Sequence, residues 1–284
     1  MSNMIEAFGE KNINPKRLAG LIDVDGCIVE PNQHSLTPDR IQIAKDLHNL
    51  TGGSFALFSD NDMRLLHPMA PFLPIISEGG AVTLIDDSRN LDDAKIIAPE
   101  VNISAMTQFA TAVLNKMGIP NSTEHSANSI HDRNRIIVET KQTRMGLNWG
   151  GENQELKEIA VKVGQKALAD QGLPNQFNVI AESYDCAEIT PVGFTKPDRI
   201  LDIANHERFK NLTVVMFGDS PIDSMAGKKV AGCVALNNRI KDADHIITRL
   251  SAPDELWDNL KMLRDYYMSN NHINHGRTSM AFAA

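Results

Sequence analysis

Cysteine is scarce in this chain of 284 residues: Cys27, Cys186 and Cys233 are the only three. They lie far apart, match no zinc-ligand spacing and suggest no disulfide framework, so a reducing compartment, the cytoplasm, is the default expectation. No apolar run approaches the roughly 20 residues of a membrane span, and no membrane role is expected. Met1 to Lys11 carries Glu6 and Glu10 and lacks the long apolar block of a secretory leader. An excess of positive charge is missing as well. The 28 basic residues face 36 acidic ones, a net charge of −8, which argues against a nucleic-acid partner. It leaves room for a small anionic ligand, which needs only a local positive site. None of the nine histidines stands at metal-ligand spacing, and neither a fixed-period repeat nor a low-complexity tract is present. What remains, 42% hydrophobic and 23% charged, is ordinary globular composition. It excludes a disordered chain, a collagen-like fibre and a coiled coil, and the length accommodates two domains.

The chain alternates strand and helix at both ends. After a lead-in of about a dozen residues, Arg17 to Val24 reads as a short buried strand. Thr37-Pro38 opens a helix whose apolar face is Ile41, Ala44 and Leu47 and which Gly52-Gly53 ends. Ser54 to Phe58 is a second buried strand, and the stretch from Pro74 reads strand, turn, strand. From about residue 99 the pattern changes. Ile103 to Met117 forms a helical stripe stopped by Gly118, Arg135 to Lys141 a strand, Leu156 to Ala167 a second helix, and Phe177 to Tyr184 a strand. Beyond Lys196 the alternation resumes: helix 197–206, strand 212–217, helix 221–228, strands near 233–236 and 245–248, and helix 254–267. The tail, Ser269 to Ala284, shows little apolar periodicity and is expected to be mobile. This order predicts an α/β fold, a doubly wound parallel sheet built from 1–98 and 188–284, with an α+β domain, 99–187, inserted.

Four polar clusters follow predicted buried strands, at the sheet edge where open α/β folds bind ligands. They are Asp23-Val-Asp25-Gly26, Ser59-Asp60, the loop bearing Lys196, and Gly218-Asp219-Ser220-Pro221-Ile222-Asp223. Phosphoryl transfer needs this inventory. An aspartate can attack phosphorus and form an aspartyl-phosphate. A second, two residues on, can protonate the leaving oxygen and later activate water. One or two carboxylates suit Mg²⁺, and a lysine with a hydroxyl can hold the phosphoryl oxygens. Gly26 lets the backbone turn sharply beside the ligand. Each cluster also has a plainer reading. Asp-x-Asp serves turns, and it is the metal pair of sugar-nucleotide transferases. Ser59 reads alone as a cap and Lys196 alone as a solvated side chain. Asp223 fits a capping arrangement with Ser220 as N-cap and Pro221 at the first helical position, which makes Asp219 the better metal ligand. The transferase reading leaves Lys196 and Asp219 without a role.

Taken together, the four segments resemble the motifs of the haloacid dehalogenase (HAD) superfamily of hydrolases: Leu-Ile-Asp23-Val-Asp25-Gly26, Leu-Phe-Ser59, Lys196, and Phe-Gly218-Asp219-Ser-Pro-Ile-Asp223. Only 36 positions separate Asp23 from Ser59, whereas 137 separate Ser59 from Lys196, so the room for a cap lies in the second gap. Glu188 to Lys196 and the turn Ser77-Glu-Gly-Gly-Ala81 are similar to segments of the branch with a type-2B cap, which includes sugar-phosphate phosphatases and phosphomannomutases. The resemblance implies Asp23 as nucleophile and Mg²⁺ ligand and Asp25 as general acid/base whose carbonyl reaches the metal. It implies Ser59 and Lys196 as phosphoryl holders, Asp219 as metal ligand, and Asp223 as ligand or support. Gly26 and Asp60 would face the substrate. Cys27, Asn61, Pro197 and Ile222 depart from the usual residues at their positions.

The inserted block is expected to select the substrate. Thr143 to Asn148 is similar to the phosphomannomutase segment whose arginine holds the distal phosphate, which makes Arg144, Asn148 and Trp149 the substrate-binding candidates. A second arginine of the mutase pattern is replaced by Trp149-Gly-Gly-Glu, which favours hydrolysis of a monophosphate. Arg133, Arg135 and Lys141 read mainly as a solvated strand face, and Met63, Met69, Met106 and Met117 as core fillers. The expectation is a Mg²⁺-dependent phosphatase acting on a small phosphorylated sugar or related metabolite. A phosphohexomutase and a catalytically weak binding or regulatory subunit are the alternatives. The sequence does not give the oligomeric state.

Overall fold

The computed structural model describes residues 3–29, 36–69, 72–85, 90–98, 111, 137–148, 154–170, 172, 175–181, 186–237, 239–241 and 243–279. The expected helical stripe of 103–117, with Met106 and Met117, lies outside them apart from residue 111, as do Arg133, Arg135 and Trp149.

The strand Leu18–Ile22 (β1) is apolar along its whole length and every residue in it is buried. That is the signature of a strand covered on both faces, as in the centre of a parallel sheet. It is flanked by Phe55–Phe58 (β2) and Thr213–Gly218 (β10), both parallel to it. Ile75–Ser77 (β3) continues the parallel array beyond β2, and Cys233–Leu236 (β11) and Ile246–Leu250 (β12) continue it beyond β10. Val82–Leu84 (β4) and Lys95–Ile96 (β5) add two antiparallel strands at one edge. The order β12-β11-β10-β1-β2-β3-β4-β5 reverses direction of travel between β1 and β10. The carboxyl ends of those two strands therefore open onto a crevice at the switch point.

Alternate strand residues feed two separate cores. Leu18, Ile22, Phe55, Leu57, Val215 and Phe217 pack on one face with Ile43 and Leu47 of Pro38–Thr51 (α2) and Leu256, Leu260 and Leu263 of Pro253–Ser279 (α7). Ala19, Leu21, Ala56, Phe58, Val214 and Met216 pack on the other with Ile200 and Ile203 of Lys196–Ala204 (α5) and Ala226 of Pro221–Gly227 (α6). The sheet is thus doubly wound, as the alternation of elements implied.

A second sheet is wholly antiparallel, in the order β6-β7-β9-β8. Its strands are Ile137–Thr140 (β6), Met145–Asn148 (β7), Phe177–Ile180 (β8) and Cys186–Pro191 (β9). Helix Gln154–Asp170 (α4) packs on β8 and β9. The expected domain boundary at 187/188 falls inside β9, which stays in the smaller sheet through Pro191.

Several local expectations need correction. The lead-in is a helix, Met4–Glu10 (α1), capped by Asn3, because Met4 and Phe8 are apolar at i, i+4 and both are completely buried. Asn259 of α7 accepts the Met4 amide at 2.8 Å. Helix α7 does not stop near 267 but runs to Ser279; no proline interrupts it. The turn after β2 contains a short helix, Met63–Leu66 (α3), capped by Asp62. Met63 and Met69 are buried in the core, as expected. Strands β5, β7 and β9 are too short or too mixed in polarity to stand out from the sequence. Replacing Phe8 by alanine should lower stability by about 3–5 kcal/mol, read as a shifted urea midpoint, because a fully buried aromatic is deleted.

Candidate active site

Asp23 follows β1 directly, and its amide donates to the Phe217 carbonyl at 2.9 Å, across the β1–β10 crevice. The next turn is tight: the Gly26 amide donates to the Val29 carbonyl at 2.9 Å, and Asp25 bridges to Val29. Gly26 has φ of +75°, and a Cβ there would lie 2.5 Å from Oδ2 of Asp219. Glycine is therefore required both by the backbone and by the carboxylate above it. Asp219 leaves β10 on the other side of the crevice. Its Oδ2 accepts from Asn237 Nδ2 at 3.2 Å and lies 3.6 Å from the Arg239 guanidinium. From the opposite side, Trp257 Nε1 donates to the Ile28 carbonyl at 2.8 Å and braces the loop.

Lys196 is the first residue of α5. Thr195 caps that helix, with Asp198 closing a reciprocal capping box, and Pro197 sits in the first turn, where its missing N–H costs nothing. The lysine is 2% exposed, and its Nζ donates to Asp23 Oδ1 and Asp223 Oδ1, both at 2.7 Å. Asp223 serves two structures at once. Its Oδ2 accepts from the Ser220 amide and hydroxyl, which caps α6, while Oδ1 receives the lysine. The capping reading and the site reading of Asp223 therefore both hold geometrically.

The electrostatics follow from crowding. Burial pushes the Asp23 carboxyl well above its usual value; Lys196 opposes the rise, while Asp223 and Asp219 add to it. Burial and then Asp223 raise Asp219 to about 6, against Lys196, Arg239 and the Asn237 hydrogen bond. Burial disfavours the Lys196 ammonium, but Asp223, Asp23 and Asp60 outweigh it and hold the group charged. Three buried carboxylates thus share one buried cation.

Ser59 directly follows β2, is 2% exposed, and its Oγ accepts the Asn61 amide at 3.1 Å. Asn61 Nδ2 in turn donates to Asp25 Oδ2 at 2.5 Å and holds that carboxylate over the loop. Asp60 carries Oδ2 at 3.8 Å from Lys196 Nζ and Oδ1 at 2.7 Å from Arg144 Nη1. Burial raises the Asp60 carboxyl, but Lys196, Arg144 and Lys141 together bring it below its ordinary value. The structure therefore gathers Asp23, Asp25, Gly26, Ser59, Asp60, Lys196, Asp219 and Asp223 at one sheet edge.

Arg144 is placed differently from the expected substrate-phosphate contact. It is fully buried. Nη1 binds Asp60 Oδ1 and Glu188 Oε2 at 2.7 Å, and Nη2 donates to the carbonyls of Glu78 and Phe194. With both terminal nitrogens committed to protein acceptors, this guanidinium has no open fork for a phosphate. Lys141 is likewise no solvated residue: it is 4% exposed and donates to the Asp60 carbonyl and to Glu188. Asn148 ends β7, paired with Cys186 and Ile137; its side chain and Trp149 lie outside the described residues. From the sequence, Asn237 has no assigned role, and Glu188 enters only as the start of the segment leading to Lys196. Asn237 follows an apolar strand in the manner of Asp23, which is an available signal, whereas nothing near Glu188 in the sequence announces its pairing with Arg144 and Lys141.

The donor set suits a hard divalent cation. Oxygen atoms of Asp23 and Asp219 and the Cys27 sulfur lie within 4.8 Å of one another, and among the described residues no other group of this kind occurs. Two carboxylates plus water and phosphate oxygens are what Mg²⁺ accepts. The surplus of buried negative charge would be relieved by such an ion. Cys27 does not contribute to that fit. Burial and the three aspartates hold its thiol protonated, and a thiol is a poor partner for Mg²⁺. The carboxylates of Asp25 and Asp223 lie outside the cluster, bonded to Asn61 and to Lys196 and Ser220.

A sequence model of haloacid dehalogenase-like hydrolases matches residues 21–253, and the chain belongs to that family. No curated protein matches the sequence. Among solved structures, the C-terminal domain of trehalose-6-phosphate phosphatase from C. albicans is similar with a TM-score of 0.67 at 15% identity, covering 93% of this chain and 98% of its own. A trehalose-6-phosphate phosphatase related protein gives 0.62 at 13% identity, over 89% and 99% of the two chains. A HAD-superfamily phosphatase from Bacteroides thetaiotaomicron gives 0.58 at 14%, over 87% and 96%. At these identities the likeness establishes the shared fold.

The lowered Asp60 carboxyl yields a pH signature. A carboxyl held below its unfolded value of about 3.9 stabilises the fold above that pH, and the contribution disappears as the pH falls through the folded value. Wild type should therefore exceed Asp60→Asn in stability most at neutral pH, and the gap should narrow below about pH 4. Denaturant titrations of both proteins across that range check it.

Proposed function

We propose that the protein is a Mg²⁺-dependent phosphomonoesterase that works through an aspartyl-phosphate. The observation that carries the reading is the position of Asp23, at the end of β1, 2.7 Å from a buried ammonium and beside Asp219. One oxygen of Asp23 attacks phosphorus in line, and the ester oxygen departs with a proton from Asp25, which Asn61 holds in place. Lys196 and Ser59 hold the non-bridging oxygens as charge moves onto them. Asp25 then takes a proton from water, which attacks phosphorus and frees Asp23. Asp23 and Asp219 would hold the metal ion, which neutralises phosphoryl charge when bound.

In this reading residues 99–187, extended to Pro191 by the run of β9, form the cap of a core made of 1–98 and the chain beyond Pro191, and the cap excludes water and selects the substrate. A small phosphorylated sugar or related metabolite is the substrate class, consistent with a neighbour that is a trehalose-6-phosphate phosphatase. A mutase needs a second phosphate held in the cap. The engagement of Arg144 by Asp60 and Glu188 removes the residue expected to hold it, which favours hydrolysis. The complete set of acidic and basic groups speaks against a purely regulatory subunit.

A panel of sugar and other small phosphomonoesters should show phosphate release that stops with EDTA and returns with Mg²⁺. Asp23→Asn should lower kcat by roughly 10³-fold or more. Interconversion of hexose 1- and 6-phosphates in place of phosphate release would overturn the hydrolase assignment, and no turnover of any ester would overturn enzymatic function.

A further inference from the structure

The turn between β6 and β7 reaches out of the smaller sheet and enters the larger one. Lys141, Thr143 and Arg144 in it are 4%, 1% and 0% exposed. Glu78, between β3 and β4, receives this turn: its carboxylate accepts the Gln142 amide at 2.9 Å and the Thr143 amide and hydroxyl at 2.7 and 2.6 Å. Glu78 holds a left-handed backbone, φ +50°, uncommon for a residue with a side chain. Gly79 follows at φ +65°. A Cβ there would lie 2.3 Å from Arg144 Nη2, 2.8 Å from the Phe194 carbonyl and 3.0 Å from Asp60 Oδ1. The backbone has been cleared at this one point to admit the guanidinium.

What Arg144 touches is informative. Asp60 belongs to the loop that carries Ser59. Glu78 belongs to the turn whose amides bond back to that loop, Glu78 N to the Asn61 carbonyl at 3.2 Å and Gly79 N to the Ser59 carbonyl at 3.1 Å. Phe194 lies two residues before Lys196. One planar cation thus joins the two segments that supply the phosphoryl-holding groups, and its Asp60 partner stands 3.8 Å from Lys196 Nζ. Glu188 and Lys141 complete the pairing, each also bound to the other at 2.7 Å. A guanidinium buried to this degree needs acceptors; Nε is buried without a partner, but each terminal nitrogen of the group has two. Its fork geometry is what lets it serve four at once, which an ammonium cannot do.

We propose that Arg144 is a positioning residue, which fixes Lys196 and the Ser59–Asp60 loop relative to each other from the smaller sheet. This deepens the phosphatase reading and rests on it for its kinetic test. Arg144→Lys keeps the charge and loses the fork. It should lower kcat at least tenfold with KM changed less than threefold, because misplacement of a phosphoryl-holding group acts mainly on the transition state. Combined with Asp60→Asn the loss should be markedly less than the product of the single losses, since both changes break the same link. Glu188→Gln, which touches no reacting group, should give a smaller loss in the same direction and serves if Arg144→Lys does not fold.

A second readout does not need turnover. In protein labelled with ¹⁵N-lysine, the side-chain resonance of Lys196, identified by its disappearance in Lys196→Arg, should shift or broaden in Arg144→Lys and in Glu188→Gln. A loss of thermal stability with unchanged kcat and an unmoved Lys196 resonance would overturn the proposal and leave Arg144 as a structural tie. If wild type hydrolyses no ester, the phosphatase reading fails by itself. The resonance then decides the positioning role alone, supported by a shift and overturned by none.

Discussion

An ammonium 2.7 Å from two carboxylates and 2% exposed sits where β1 and β10 diverge, and the site is organised around it. Charge at that depth is costly unless it is paired and fully hydrogen-bonded. The pairing therefore dictates its surroundings. Asp23 must leave β1 pointing into the crevice, Asp223 must face back from the first turn of α6, and Lys196 must open α5 so that its side chain crosses between them. Each helix start is locked by its own capping box, Thr195 with Asp198 and Ser220 with Asp223. Asp223 belongs to both devices, so the fold of α6 and the position of the lysine cannot be changed separately.

The doubly wound sheet and the polar cluster at one of its edges are legible in the sequence because they rest on short-range patterns. β1 and β2 are unbroken apolar runs, and each ends abruptly on polar residues. Proline and serine mark the entry to α6. Other parts depended on distant partners. Helix α1 is defined by Met4 and Phe8 finding α7 and β12 at the far end of the chain, and nothing nearby announces it. Strands β7 and β9 are four and six residues long, and β9 carries the charge of Glu188 within it, which Arg144, just before β7, pairs. Arg144 itself illustrates the limit. The likeness of its segment to that of the phosphomannomutases points to a ligand contact, whereas only the three-dimensional arrangement shows that two carboxylates and two carbonyls already occupy its terminal nitrogens.

The departures from the family pattern acquire local reasons. Pro197 fits the first turn of a helix, where its fixed φ is suitable and no amide is needed. Ile222 is 7% exposed in the first turn of α6, an apolar residue at a buried position. Asn61 binds Asp25 directly. Cys27 is completely buried behind Asp23, where a small, protonated side chain fills space without adding charge. None of these residues displaces a group from the crevice. They tune the packing around a constellation that stays intact.

The route of the chain out of the smaller sheet has a mechanical side. Strand β9 ends at Pro191 and α5 begins at Lys196, with only Val192 to Thr195 between them. Four residues, even fully stretched, span about 14 Å. This link is a short leash with little slack, and its far end is the residue that grips Asp23. A swing of the small sheet away from the large one would pull on the helix start that carries the ammonium. Admission of a bulky ligand and alignment of the reacting groups would then be two phases of one lever stroke.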